Sequence, residues 1–488
     1  MNIIEAMQDP ELFWPWFKGD SWNAWRIASA ALAGLPIGED GAALYRQCTG
    51  RTIAPTVPAR EAWFIVGRRG GKSRIAALWA VYLSCFRDHS AVLAPGEVGT
   101  LAVIAADRRQ ARTIMRYIVG FLDAVPMLKA MVTSSTKETV ELSNRVVIEI
   151  HTASFRSTRG YTLIGVIADE LAFWPTDEGG ANPDVEILNG LRPGMASIPD
   201  ALLLCISSPY ARRGALWEAY SKHYGNDGDP VLVWQAPTQA MNPNVDPQVI
   251  ADAYAADEAS ASSEYGASFR SDLESYVSRE VIGACVIPDR RDLPPATGIR
   301  YHAFVDPSGG SVDSMTLAVA HTEGERVVVD VVLERKAPFN PTDVVSEFVA
   351  TLKPYGISRV TGDRYAGEWP RTAFQRHGIT YATSDRPKSD LYRDALPLLT
   401  AGRVELPDNL RLVAQLLGLE RRTGRSGKDS IDHAPRAHDD VANATCGALL
   451  LCSAKAGASC RVFHLRAGGP LVPMNNSSFG VPIWSSAP

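Results

Sequence analysis

The chain has 488 residues, 46% of them hydrophobic and 21% charged, with a formal net charge of −5. That profile fits a folded protein with room for two or three cores. It excludes attraction to nucleic acid by overall charge, although 49 Lys and Arg leave room for a local basic groove. No apolar run approaches the roughly 18 residues of a membrane span. The acidic start MNIIEAMQDPELFW does not read as a signal peptide. Seven cysteines without CxxC pairing read as reduced thiols of a cytosol.

In chain order, Trp14, Trp16, Trp22 and Trp25 among small apolar residues predict a helical lead-in over 1–55. The runs AWFIV, LAVIAA, LIGVIA and ALLLCIS predict strands covered on both faces, as in a parallel sheet. ETVELSNRVVIEIHTA (138–153) predicts a hairpin turning at Ser143-Asn144. Together these give a first α/β domain over 56–255. A polar helical stretch followed by PDRRDLPPATG predicts a linker over 256–297. YHAFVD, MTLAVAH and RVVVDVVLE open a second domain, 298–455, with three closely connected strands. The Gly-, Pro- and Ser-rich end predicts a mobile tail over 456–488.

AWFIVGRRGGKSRIAALWAV runs from strand through a glycine-rich turn into a helix. Such a turn points backbone N–H groups at phosphates, its lysine reaches the outer phosphates, its hydroxyl binds Mg²⁺, and the helix dipole favours the anion. Gly70, Gly71, Lys72 and Ser73 match the end of GxxxxGK[ST], but Val66 stands at the first glycine and Gly67 comes one residue late. LIGVIADELAFW ends a strand on Asp169 and Glu170. The first suits Mg²⁺ and the second an attacking water. LLLCISSPYARRG puts Ser207 and Ser208 at another strand end, where hydroxyls can sense a γ-phosphate. Arg68, Arg69, Arg156 and Arg159 are candidates for stabilising transition-state charge, with Arg69 the best placed.

Acidic residues mark a second site. Asp306 closes YHAFVD, Asp313 follows in the connection, Asp363 ends another strand, and Asp439 and Asp440 open a helix. Carboxylates at two strand ends and a helix start can meet at one point and take Mg²⁺ or Mn²⁺. Two such ions would clamp an in-line displacement at phosphorus. His433 and His438 flank the last pair and read as structural. Each aspartate alone also fits a strand terminus or a helix cap.

Over residues 55–455 the chain resembles the large terminase subunit of tailed double-stranded DNA phages. GRRGGKS resembles that family's variant Walker A, which often lacks its first glycine, ADE its Walker B, and SSP its coupling motif. SEYGASFRSDLESYVSREVI resembles the segment that joins motor to nuclease. The resemblance implies a RecA/ASCE-like P-loop ATPase followed by an RNase H-like nuclease. It implies ATP with Mg²⁺ on Ser73 and Asp169, and Mg²⁺ or Mn²⁺, as two ions, on Asp306, Asp363 and the Asp439-Asp440 pair, with Asp440 favoured as the direct ligand. The implied partners are double-stranded DNA, a portal protein, a small terminase subunit and a procapsid carrying a pentamer, in the cytoplasm of an infected bacterium. The tail is a candidate portal contact and Arg159 a candidate trans-acting finger. No glutamine motif for adenine precedes the loop, which leaves Trp25 or Arg26 to stack on the base. The competing readings are a helicase–nuclease of repair or restriction and a nucleotide-gated scaffold without catalysis.

Overall fold

A computed structural model describes residues 1–153, 160–174, 183–363, 368–423, 429–434 and 437–456. The tail beyond 456, Arg156 and Arg159 lie outside these. The first sheet is built from β1 (Glu61–Val66), β2 (Gly99–Ala105), β3 (Val132–Ser135), β4 (Thr139–Leu142), β5 (Val146–Thr152), β6 (Thr162–Asp169), β7 (Leu202–Ser207) and β8 (Val231–Ala236), in the order β3-β4-β5-β2-β6-β7-β1-β8. From β5 to β8 every neighbour is parallel. Parallel strands are covered on both faces, and accordingly every residue of β2 and β7 is buried. The expected hairpin is β4–β5, and β3, which periodicity did not mark, extends it antiparallel.

The helix Lys72–Cys85 is buried on nearly every side, as its lack of a polar face requires. The lead-in packs into the same core. Phe13, Phe17 and Trp25 are fully buried alongside Phe64 and Leu78, while Trp14 stays exposed. The glycine-rich loop follows β1 and the acidic pair straddles the end of β6, within the strand order β8-β1-β7-β6-β2 of a P-loop α/β domain.

Residues 256–297 carry a helix Glu258–Glu264, strand β9 (Leu273–Ser275) and a helix Arg279–Cys285. The second sheet follows with β10 (Tyr301–Asp306), β11 (Met315–Glu323), β12 (Arg326–Arg335), β13 (Arg359–Gly362), β14 (Thr380–Thr383) and β15 (Val404–Glu405), in the order β14-β13-β10-β11-β12-β15. β10, β11 and β12 form an antiparallel meander, and β13 and β14 run parallel to β10. This is the RNase H-like arrangement. Alternation sorts the side chains between two cores. Phe304, Ala318 and Ala320 face the helix Asp440–Ala456, while Ala303, Val305, Leu317 and Val319 face the helices Pro341–Leu352 and Trp369–Gln375. A third, antiparallel sheet joins β16 (Leu419–Thr423) to β17 (Asp429–His433) on one side and to β9 on the other. Among the described residues no helix is long and apolar enough to cross a membrane.

Candidate active sites

Parallel pairing gathers the first site. Ile65 of β1 lies beside Ser207 of β7, and Ile206 lies beside Asp169 of β6. The glycine-rich loop, the serine pair and the acidic pair therefore emerge at one edge. Lys72 is buried, and its Nζ donates to Val66 O (2.7 Å), Ser208 Oγ (3.0 Å) and Gly67 O (3.3 Å), with Glu170 Oε1 at 3.9 Å. Burial lowers the lysine pKa, and Glu170 and Asp169 oppose that shift. Asp169 is buried with Oδ1 lacking a hydrogen-bond partner. Burial, then Glu170, push its carboxyl up to about 7. An orphaned buried carboxylate oxygen beside a second carboxylate is a fitting place for a cation. Glu170 has a left-handed φ of 48°, a conformation that costs about 1–3 kcal/mol outside glycine and is held only by its surroundings. Its Oε2 lies 3.4 Å from the Ser208 N–H and 3.5 Å from Ser207 Oγ. Ser73 sits half-buried on the first helical turn.

The missing first glycine has a local explanation. A Cβ on Gly67 would lie 2.3 Å from Thr238 Oγ1 and 2.6 Å from Tyr265 O, and one on Gly70 would lie 2.5 Å from Val66 Cγ1. The glycine is therefore needed at 67, where the loop meets the segment after β8, and a valine fits at 66. That segment also receives the loop: Thr238 Oγ1 donates to Arg68 O, Asn242 Nδ2 to Arg69 O, and Arg68 pairs with Glu264 at 3.1 Å. Arg68 is thus engaged at the loop's outer side, and Arg69 is exposed with φ 64°. Trp25 does not offer a ring face for stacking on a base, because it is fully buried against Phe64 and its N–H donates to Gly70 O at 2.7 Å. The Arg26 guanidinium donates to Phe17 O and Gly19 O.

At the second site β10 and β13 are parallel neighbours, Val305 beside Gly362, so Asp306 and Asp363 leave the sheet together. The helix Asp440–Ala456 begins over that edge. Its first turn is tied down by Thr316 Oγ1, which donates to Asp440 O at 2.7 Å, and by Gln415 Oε1, which accepts from the Val441 and Ala442 N–H groups. Asp306, Asp313, Asp363, Asp439 and Asp440 line one cavity with Lys388, Asp432, His433, His438 and Asn443. Burial pushes the Asp306 carboxyl well up, and Asp440, Asp363 and Asp439 add to that. Asp440 rises to about 6 through burial and then Asp439. Its Oδ2 is buried without a partner. Asp439 differs: Lys388 Nζ lies 2.9 Å from its Oδ2, which also accepts from Tyr392 OH at 2.8 Å. Carboxylates crowded this closely suit a divalent cation, and the pair divides into one tied aspartate and one with an open oxygen.

Asn443, which sequence reasoning missed, donates from Nδ2 to Asp306 Oδ2 (2.8 Å) and Asp363 Oδ2 (3.2 Å). Its signal was position, one helical turn after Asp440 and so on the same face. Lys388 and Asp432, paired at 2.8 Å, carried no local signal. His433 Nδ1 contacts Ala434 O, and His438 Nδ1 lies 3.8 Å from Asp313 Oδ1.

No protein-family model and no curated protein matches the chain. Among solved structures the chain is similar to the Thermus phage P74-26 large terminase ATPase domain, at 17% identity and TM-score 0.35 over 50% of this chain and 98% of that one. It is similar to the large terminase nuclease from thermophilic phage G20c with bound magnesium, at 18% and 0.32 over 36% and 96%. Along most of its length the chain is similar to the bacteriophage HK97 large terminase, at 17% identity and TM-score 0.35 over 80% of this chain and 91% of that one.

Proposed function

We propose that the chain is a phage large terminase, an ATPase that drives viral double-stranded DNA into a procapsid and a metal-dependent endonuclease that cuts the concatemer. The observation that carries this reading is the presence in one chain of a buried P-loop lysine touching a strand-end serine and glutamate, and, on a separate RNase H-like sheet, a cavity lined by six aspartates.

At the first site Lys72 and the loop N–H groups bind the phosphates of ATP. Ser73 and Asp169 would hold Mg²⁺. Lys72 turns from Ser208 Oγ to a phosphate oxygen, so nucleotide binding is felt at the serine pair. Glu170, aimed by the Ser208 N–H, accepts a proton from the attacking water, and Arg69 at the loop's tip steadies the charge that develops. At the second site Asp306, Asp363 and Asp440 would hold Mg²⁺ or Mn²⁺, two ions in this reading, which when bound neutralise the scissile phosphate and acidify a water. Asn443 spaces Asp306 and Asp363, and Lys388 and Tyr392 hold Asp439 beside Asp440. Movement along DNA relies on phosphate contacts, since a motor must ignore sequence. The portal, a small subunit, a pentamer on the procapsid and the host cytoplasm complete the reading, with the tail after 456 as the portal contact.

The test is supercoiled plasmid with Mn²⁺, using the natural chain, Asp363→Ala and Lys72→Ala. Cutting is expected from the natural chain and from Lys72→Ala and is lost in Asp363→Ala. Undiminished cutting by Asp363→Ala sinks the nuclease assignment, and wild-type ATP turnover by Lys72→Ala sinks the P-loop assignment. Strand displacement on a forked duplex would favour a helicase–nuclease instead. Failure to bind divalent metal in calorimetry would favour a scaffold.

A further inference from the structure

We propose that the carboxylate cavity opens one base step of the duplex it cuts, with Val312 as the wedge and Trp369 as the surface that receives the freed base. The inference rests on the nuclease reading above and names the DNA that site prefers, which is easily unstacked steps and mismatches.

The cavity measures about 690 Å³, within the range that holds a whole small-molecule ligand. A phosphate and its metal ions leave room there for a base. Trp369 lines this space together with Asp306 and Asp363. An indole offers one N–H donor and no acceptor, so it neither holds a cation nor takes up a proton, and the hydrolysis does not use it. The half-buried side chain packs against the core of Val345 and Phe374. Pro370, Ala373 and Phe374 bury its helix on the same core. A ring anchored to a core and lining a cavity is a stacking platform, and every base has a face to lay on it.

Packing alone would account for Trp369, and the rim of the cavity supplies the second observation. In the loop between β10 and β11, Val312 is 73% exposed. Its neighbours Ser308, Gly309 and Asp313 line the same cavity. The loop is braced. Ser308 Oγ donates to Asp313 O at 2.7 Å and accepts from the Gly310 N–H at 3.2 Å, and the Phe339 N–H donates to Gly310 O at 3.1 Å. Gly310 has φ 81°, and a Cβ there would lie 2.3 Å from Phe339 O. Apolar side chains held out in this way enter between base pairs and unstack them.

The cost of opening a step falls on the DNA and depends on its sequence. It is low at pyrimidine–purine steps and at mismatched bases. A valine and a stacked ring read no base edge, so the preference follows deformability.

Mn²⁺-dependent cutting tests this on plasmid whose cut ends are sequenced, and on two linear duplexes that differ by one central T·T mismatch. The natural chain should cut plasmid mostly at TA and CA/TG steps. It should cut the mismatched duplex about 10-fold faster than the matched one. Cuts spread evenly over all steps, or equal rates on the two duplexes, overturn the proposal. Val312→Ser should cut the matched duplex about 10-fold more slowly and regain the natural rate on the mismatched one, where the step is already open. Slowing that the mismatch does not relieve, or no slowing at all, overturns the wedge. Trp369→Ala should be about 10-fold slower on both duplexes, with Trp369→Phe close to natural. A folded Trp369→Ala chain that cuts at the natural rate overturns the platform. No cutting of any DNA by the natural chain overturns the nuclease reading and this inference with it.

Discussion

Asp439 and Asp440 are neighbours of the same type, yet their surroundings separate them. The first spends its charge on Lys388 and Tyr392, and the second keeps a buried oxygen open to the cavity. Asp440→Asn should therefore lower Mn²⁺-dependent cutting by about 100-fold or more, and Asp439→Asn by only about 10-fold, the scale of losing an outer partner of a ligand. Equal losses measured on supercoiled plasmid would remove the distinction. The same burial sets a pH dependence. Asp169 is pushed up to about 7, Asp440 to about 6, and Asp306 well up. For an acid raised in the folded chain, the protonated form is the stabilised one. That contribution is present at low pH and lost as pH rises through about 6 to 7. Divalent ions compete with those protons. Scanning calorimetry should show Mn²⁺ raising Tm more at about pH 8 than at about pH 5.5, and an equal rise at both would contradict it.

At the level of elements, the helix Asp440–Ala456 and the sheet beneath it depend on one close approach. A Cβ on Gly447 would lie 2.3 Å from the Phe304 ring. Gly447→Ala forces the helix off β10, at about 1–3 kcal/mol for overpacking a core, and lifts Asp440 and Asn443 from Asp306. The expected result is a lower Tm and much reduced cutting, with ATP turnover unchanged. A variant with normal cutting would show that the helix can shift without disturbing the cavity. The P-loop has a comparable brace. Trp25→Phe keeps an aromatic side chain, smaller by the pyrrole ring, but removes the N–H donor to Gly70 O, and leaving a buried carbonyl unpaired costs about 1–3 kcal/mol. A raised KM for ATP at unchanged fold, by circular dichroism, is the outcome to look for.

Across the whole molecule, the two sites occupy separate sheets with separate cores. Side chains of the first domain, Tyr210 and Arg213, nonetheless reach a buried carboxylate of the second. Removing chemistry at one site should leave the other competent: Asp363→Ala is expected to hydrolyse ATP at the natural rate. Its loss of ATP turnover in a folded chain would mean the sheets do not work independently. The stretch 256–297 contributes at this scale too, since β9 completes the sheet of β16 and β17.

The sequence by itself determined the things that are local. Apolar runs of strand length predict the buried parallel strands, and Lys72, Ser73, Asp169, Glu170, Ser207 and Ser208 are readable because loop and strand-end chemistry is written in contiguous residues. Asp306 and Asp363 are readable as strand ends and Asp440 as a helix start. Only the tertiary structure decided what depends on neighbours distant in the chain. It shows that Trp25 is a buried brace and has no free face for a base, that Gly67 is required by Thr238 and Tyr265, and that β3 and β9 pair where no alternation marks them. It separates Asp439 from Asp440 through Lys388 and Tyr392, and it finds Asn443, Asp432 and Glu420. The reason is physical: periodicity and turn chemistry act between residues a few places apart, whereas hydrogen bonding and the neutralisation of buried charge act between whichever groups the fold brings within about 3 Å.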